Sequence, residues 1–297
     1  MIVVWGALDD PPVARVLEAL VARGTDTVHL DDRNLAAACY EVRLGPRLDG
    51  WVQVGGRRIG LEDIDGIYLR PGEQDGGGAT ASATLLAAAE SVTATVVNRP
   101  SGGRSNLSKP FQLSLIEAAG LLTPDTIVTS DSVAAKAFLD HHQRIVYKSI
   151  SGLRSIINTV DANEPQQLDR IGHGPVQLQQ WIDGLDVRVH VVDDRCFATS
   201  VSSVASDYRY ASDESMVTLA PFELPKPLAE QLAALVHSMG LLVAGIDLRR
   251  SDDGQWVCFE VNPSPGFTYY EDHTGQPIAA AIAELLSRAL RRASRPG

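Results

Sequence analysis

Short apolar runs alternate with amphipathic stretches along the first hundred positions. Residues 2–5 form a continuous apolar run that reads as a buried strand, residues 12–23 repeat apolar positions at helical spacing, and residues 27–30 read as a second short strand. That order predicts a small parallel α/β sheet. Residues 42–64 predict a hairpin, because Gly55-Gly56 stands between two arms rich in β-formers. An apolar strand over 66–69 follows and ends at Arg70-Pro71. A loop rich in glycine and polar residues at 72–78 then leads to an Ala/Leu-rich helix over about 81–91 and a strand at 95–98.

The pattern changes at Pro100-Ser101-Gly102-Gly103, a strong breaker. Asn106 or Ser108 offers an N-cap for a helix that runs through Ala119 and stops at Gly120, which puts a first boundary near residue 105. Beyond it, strands are predicted at 126–129, 145–149, 176–181, 187–192 and 197–201. A polar stretch at 202–225 shows little periodicity; a helix near 228–239, strands at 243–249 and 256–262, and a last helix at about 277–292 complete the chain. A stretch of about 20 residues without regular pattern is functional more often than accidental. It reads as a lid or peptide-docking loop, with a plain flexible loop as the alternative.

Three oxygen-bearing side chains stand out within this framework. Positions i and i+2 of a strand share a face, so Glu260 and Asn262 project side by side while Phe259 and Val261 point the other way. If the strand carrying Asp247 pairs with this one, three oxygen donors meet, a set suited to magnesium, which takes one or two carboxylates plus substrate phosphates. A hairpin with a polar solvent face is the alternative, although Pro263-Ser264-Pro265-Gly266 halts the strand where a loop can turn around a ligand. Lys148 closes an apolar strand and leads to Ser151, Gly152 and Arg154; it can set a compact charge against a phosphate, or simply be solvated. Lys109 has the same two readings. The segment VQLQQWIDGLDVRVHVV predicts a hairpin turning at Asp183-Gly184. In it Gln179, Gln180, Trp181 and Ile182 can offer backbone groups to an adenine edge, and Asp186 and Arg188 share a face, suited to ribose and phosphate or to a cross-strand salt bridge. Arg209, in the irregular stretch, is placed to neutralise charge developing on a transferred phosphoryl group. Arg70, at a strand's carboxyl end, is a candidate for a substrate carboxylate, with a surface arginine as the alternative, and Ser264 is a further substrate candidate.

Composition removes other classes. The 297 residues are 44% hydrophobic and 21% charged, the balance of an ordinary globular protein, with a formal net charge of -11 that opposes nonspecific nucleic-acid or anionic-membrane binding. Three scattered cysteines without C-x-x-C spacing suggest neither a disulfide framework nor a zinc site, and read as reduced, buried thiols. The histidines lack metal-ligand spacing, and neither G-x-S-x-G nor H-E-x-x-H occurs. Without a signal-peptide pattern or a membrane-length apolar run, a cytoplasmic protein is expected.

In order, NRPSGGRSNLSKPFQ, GLLTPDTIVTS, VYKSISG, LQQWIDGLDVRVHVV, AGIDLRR, FEVNPSPGF and EDHTGQPIAAAI resemble the ATP-grasp superfamily, most closely the RimK-like ligases, which include enzymes that build ester or amide crosslinks in graspetide peptides. The resemblance runs from about Asn98 to Leu290 and implies an α/β, more strictly α+β, ATP-grasp fold: a pre-ATP-grasp domain at 1–105, a central lid subdomain at 106–184 and a C-terminal subdomain with the metal site at 185–297. It implies ATP and two magnesium ions, with Lys109 and Lys148 on phosphates, Gln180 to Ile182 as the adenine hinge and Asp186 near the ribose. Asp247, Glu260 and Asn262 would be magnesium ligands, with Arg188 and Arg209 beside the reacting phosphate. One departure is that SGLRSI carries only Gly152 where relatives have a glycine-rich loop, so Arg154 stands in or the lid is shorter.

The implied reaction has two steps: a carboxylate attacks the γ-phosphate to give an acyl phosphate and ADP, then an amine or hydroxyl displaces phosphate. The expected partners are a carboxylate-bearing peptide or small molecule and a nucleophile, with no nucleic acid and no membrane, and a homodimer left open. A phosphotransferase acting on a hydroxyl and a non-catalytic nucleotide-binding module are the rival readings.

Overall fold

The computed structural model describes residues 1–43, 45, 48–148, 158–161, 174–203 and 217–288. The N-terminal part contains β1 (Ile2–Gly6), α1 (Pro11–Ala22), β2 (Thr27–Leu30), β3 (Tyr40–Arg43), β4 (Asp49–Val54), β5 (Arg57–Gly60), β6 (Gly66–Arg70), α2 (Gly76–Ser91) and β7 (Thr95–Val97). Strands β2-β1-β6-β7 form a parallel sheet in that order. Both its faces are covered: α2 packs on one, and α1 with a helix from the other end of the chain packs on the other. Double coverage explains why β1 is a continuous apolar run rather than an alternating one. The expected hairpin is present as β4–β5, with β3 added as a third antiparallel strand.

Two features depart from the pattern here. The second helix begins at Gly76, inside the expected glycine loop, where it packs against the 3-10 turn at Asp32–Ala37. Tertiary packing overrides a poor helix propensity. Among the thiols only Cys258 is buried; Cys39 is exposed beside β3 and Cys196 is intermediate, so the expectation of three buried thiols fails where the chain leaves the core.

The chain continues through α3 (Lys109–Ala118), β8 (Thr126–Thr129), α4 (Ser132–His142), β9 (Arg144–Lys148), β10 (Asn158–Asp161) and β11 (Val176–Gln180). Ser108 is the N-cap of α3, its Oγ accepting from the Phe111 amide at 3.4 Å. The α4 helix was missed by the pattern above despite its signals: Asp131 caps it through the Val133 amide at 2.9 Å, and Ala135, Phe138 and Leu139 bury one stripe. It covers the antiparallel sheet β10-β9-β11-β8.

Last come β12 (Gly184–Val192), β13 (Arg195–Ser203), β14 (Val217–Phe222), α5 (Lys226–Ser238), β15 (Val243–Ser251), β16 (Trp256–Asn262), α6 (Thr268–Thr274) and α7 (Ile278–Leu286). Strands β14-β13-β12-β15-β16 form an antiparallel sheet, one face of which packs on α3 and α5. The stretch expected to be irregular therefore contains β14, and the expected last helix is α7, preceded by an unpredicted short helix, α6, that ends where Gly275 takes a left-handed conformation. The hairpin expected at Asp183-Gly184 does not form. β11 pairs with β8 and β9 while β12 pairs with β13 and β15, so residues 181–183 cross between two sheets. Gly184 serves close approach instead of a turn: a Cβ there would lie 2.8 Å from the Ser251 Cα on β15. Among the described residues no helix is long and apolar enough to cross a membrane.

Candidate active site

The five-stranded sheet sorts its side chains by alternation. Val187, Val189 and Val191 of β12, Ile246 and Leu248 of β15 and Val261 of β16 enter the core under α3 and α5. Their neighbours Asp186, Arg188, His190, Asp247, Arg249, Glu260 and Asn262 share the opposite face. Register then sets the neighbours: Asp247 lies between Arg188 and Glu260, Gly245 between His190 and Asn262, and Asp186 opposite Arg249. The helix α3 holds this edge in place, because the buried Gln112 donates to the Val261 carbonyl at 2.7 Å and accepts from the Val261 amide at 2.9 Å.

Arg188 is buried and donates from Nη1 to Asp247 Oδ1 at 2.6 Å. Gly245 makes the space for it, since a Cβ there would fall inside the guanidinium and 2.7 Å from Pro265 Cβ. Beyond Arg188, His190 is buried with its Nε2 3.2 Å from the Gly266 carbonyl and its ring 4.9 Å from Tyr270. Burial pushes this imidazole down to about 3, and the nearby Arg188 charge acts in the same direction. It is a neutral ring at physiological pH.

A β-bulge interrupts the β15–β16 ladder: Asp247 pairs with Glu260 but Leu248 with Cys258, leaving Phe259 as the extra residue. Phe259 consequently faces Arg249, whose guanidinium lies 5.5 Å from its ring, rather than pointing away from Glu260 as strict alternation predicts. Arg249 also grips both oxygens of Asp186, at 2.7 and 2.9 Å, and donates to the Ile182 carbonyl at 2.5 Å. At the crossover, the Gln180 amide donates to the Asp125 carbonyl and the Trp181 amide to the Arg144 carbonyl, so two of the amides expected for an adenine edge are engaged within the chain. Gln179 is buried and donates to Thr126 Oγ1 at 3.1 Å.

A cleft of about 380 Å³ opens at the carboxyl ends of β1, β6 and β7, with Arg70, Asn98, Pro263 and Ser264 in its wall. Arg70 is not a surface arginine. It donates to both Asp10 oxygens, to Ser264 Oγ at 2.8 Å and to the Pro265 carbonyl at 3.0 Å. Asn98 donates to the Val243 and Pro263 carbonyls, at 2.7 and 2.6 Å, and accepts from the Leu242 and Val243 amides. Arg99 caps the end of α2 through the carbonyls of Ala89, Glu90, Val92 and Ala94.

The structure thus brings Asp186, Arg188, Asp247, Glu260 and Asn262 onto one face, with Ser264 and Arg70 meeting just beyond it. Lys109 opens α3, and Lys148 ends β9 opposite Gln177 in β11. The Lys148 side chain, Ser151, Gly152, Arg154 and Arg209 lie outside the described residues. The donor set suits a hard cation: it consists of two carboxylates and an amide oxygen, and Asp247 is already balanced by Arg188, whereas the Glu260 carboxylate has no ion pair or hydrogen bond among the described residues. Asn262 is oriented by accepting from the Ser264 amide at 2.9 Å. Sequence reasoning overlooked Arg249, His190, Gly245 and Asp10. The first two were within reach of the i, i+2 rule already applied to Glu260 and Asn262; the others show only in three dimensions.

The chain thus passes from the four-stranded sheet β10-β9-β11-β8 through residues 181–183 into the five-stranded sheet that carries Asp247 and Glu260. Residues 108–286 match the RimK-like ATP-grasp domain family, and the chain belongs to that family. It is 33% identical over 129 residues to a probable alpha-L-glutamate ligase 2 of Shewanella sp. (strain MR-4), an overlap covering 41% of this chain and 41% of that protein, so the match spans about two fifths of the relative's length. A structure of the ATP-grasp ligase PsnB complexed with a phosphomimetic variant of a minimal precursor, Mg and ADP has a TM-score of 0.82 at 24% identity, covering 97% of this chain and 98% of that one. PsnB complexed with the minimal precursor gives 0.80 at 26% identity, with the same coverage. The ATP-grasp fold is shared throughout.

Proposed function

We propose that this chain is a cytoplasmic, ADP-forming ligase that activates a carboxylate as an acyl phosphate and joins it to an amine or hydroxyl of a peptide or small metabolite. The observation that carries this reading is the register that sets Asp247 between Arg188 and Glu260, with Asn262 two residues further on the same face. Family membership and the PsnB structures, one holding Mg, ADP and a phosphomimetic variant of a minimal precursor and the other the minimal precursor, support it.

In this reading Asp247, Glu260 and Asn262 hold two magnesium ions, which supply neutralisation of phosphate charge when bound. Lys109 and Lys148 contact phosphates, residues 179–182 border the adenine, and Asp186 lies toward the ribose. A carboxylate oxygen of the substrate attacks the γ-phosphorus and ADP leaves; the amine or hydroxyl then attacks the acyl carbon, phosphate leaves, and the nucleophile's proton passes to solvent. Arg188, fixed by Asp247, stabilises charge on the phosphoryl oxygens during both displacements. The Arg70–Ser264 cleft receives the substrate. No covalent enzyme intermediate is required; positioning and charge neutralisation suffice.

The test is incubation of the purified protein with Mg-ATP, hydroxylamine and a panel of carboxylates, including glutamate and acidic peptides. Hydroxamate and ADP should accumulate together, and Glu260→Ala should lower both by about 100-fold or more. No ATP cleavage with any carboxylate, together with a Glu260→Ala variant indistinguishable from wild type, would refute the reading.

A further inference from the structure

We infer that Arg249 is a positioning residue for the nucleotide, fixing the corner where the four-stranded sheet passes into the five-stranded one. The inference rests on the ATP-site reading above and concerns a residue that takes no part in the phosphoryl chemistry. Arg249 stands on β15 two residues beyond Asp247, on the same face, and all three of its guanidinium nitrogens donate at one corner. Nε and Nη2 form a two-pronged pair with Asp186, and Nη1 reaches the Ile182 carbonyl. Its Cζ lies 5.1 Å from the centre of the Trp181 ring and 5.5 Å from that of Phe259, the latter brought there by the bulge in β16.

The crossover is held from the other sheet as well. Arg144 of β9 stacks 3.9 Å from the Trp181 ring and accepts the Trp181 amide on its carbonyl. Residues 181–183 are therefore clamped between an arginine of each sheet. Asp186 and the 179–182 backbone are the groups assigned above to ribose and adenine, and Arg249 sets their separation and orientation before a nucleotide arrives. Its charge also offsets Asp186, so the corner presents an aligned pair rather than a bare carboxylate to an anionic ligand. A planar fork that serves a carboxylate and a carbonyl at once is beyond a lysine, which can satisfy only part of it. Preorganisation of this kind acts on affinity.

Calorimetric titration of the full chain with Mg-ADP tests the role. Arg249→Met should weaken binding by about tenfold, Arg249→Lys by less, and Asp186→Asn by a similar factor, with the Arg249→Met/Asp186→Asn double variant no weaker than the worse single one, as for members of one network. Ile246→Val, in the core beneath the same strand, should lower the melting temperature and leave the dissociation constant unchanged. Wild-type affinity in Arg249→Met, multiplying losses in the double variant, or an equal loss in Ile246→Val overturns the inference while leaving the ATP reading intact. A wild-type chain that takes up no Mg-ADP overturns the ATP reading and this inference together.

Discussion

Gly245 stands on β15 between His190 and Asn262, and the space above its Cα is filled by Arg188. Gly245→Ala therefore sets a methyl group against a buried guanidinium that is already fixed by Asp247. We expect a loss of about 1–3 kcal/mol of stability from overpacking and a fall of about 100-fold or more in hydroxamate formation from the displaced Arg188. Urea unfolding and the trapping assay read the two effects, and wild-type turnover in this variant would show that Arg188 does not need its present place. His190, directly opposite Gly245, gives a pH signature. Its folded value of about 3 lies below the 6.5 of the free side chain, with Arg188, Asp247 and Tyr270 the charged and titratable groups around it. Between those values the unfolded chain binds the extra proton, so stability is complete above about pH 6.5 and declines as pH falls. At pH 5 the loss amounts to about 2 kcal/mol. His190→Gln should flatten the difference in unfolding free energy between pH 7 and pH 5; an equal pH dependence in both proteins would place the effect elsewhere.

At the scale of elements, β16 carries Glu260 and Asn262, the proposed metal ligands, and α3 carries Lys109, and Gln112 joins the two through both backbone groups of Val261. Gln112→Ala leaves a buried N–H and C=O without this partner, at a cost of about 2–4 kcal/mol. Guanidinium denaturation should show it as a lower midpoint, and a shift under 0.5 kcal/mol, about the size of an ordinary surface change, would mean that water or a local shift replaces the amide. Elements with a strong local period were legible in the sequence: β1, α1, α3, α5, β15 and β16 all fall within a few residues of expectation. Misreadings arose where a local signal had two meanings. Asp183-Gly184 resembles a hairpin turn, yet the glycine serves the approach of β15; Gly76 to Gly78 resemble a loop, yet they form the first turn of α2. The face shared by Asp186, Arg188, Asp247, Glu260 and Asn262 was readable from alternation alone, whereas Phe259 was misplaced by a bulge that no residue pattern announces.

For the whole molecule, what could not be read was how distant segments close on one another. Nothing around Arg70 in the sequence announces Asp10 or Ser264, and nothing in the last helix announces that it covers the sheet begun by the first strand. Asn98 is the most consequential of these joints. Its four hydrogen bonds weld the end of the parallel sheet to the start of β15 and to the loop after Asn262. In mechanical terms, the parallel sheet and the five-stranded sheet are thereby one block, and the wall of the cleft travels with the face that carries Asp247, Glu260 and Asn262.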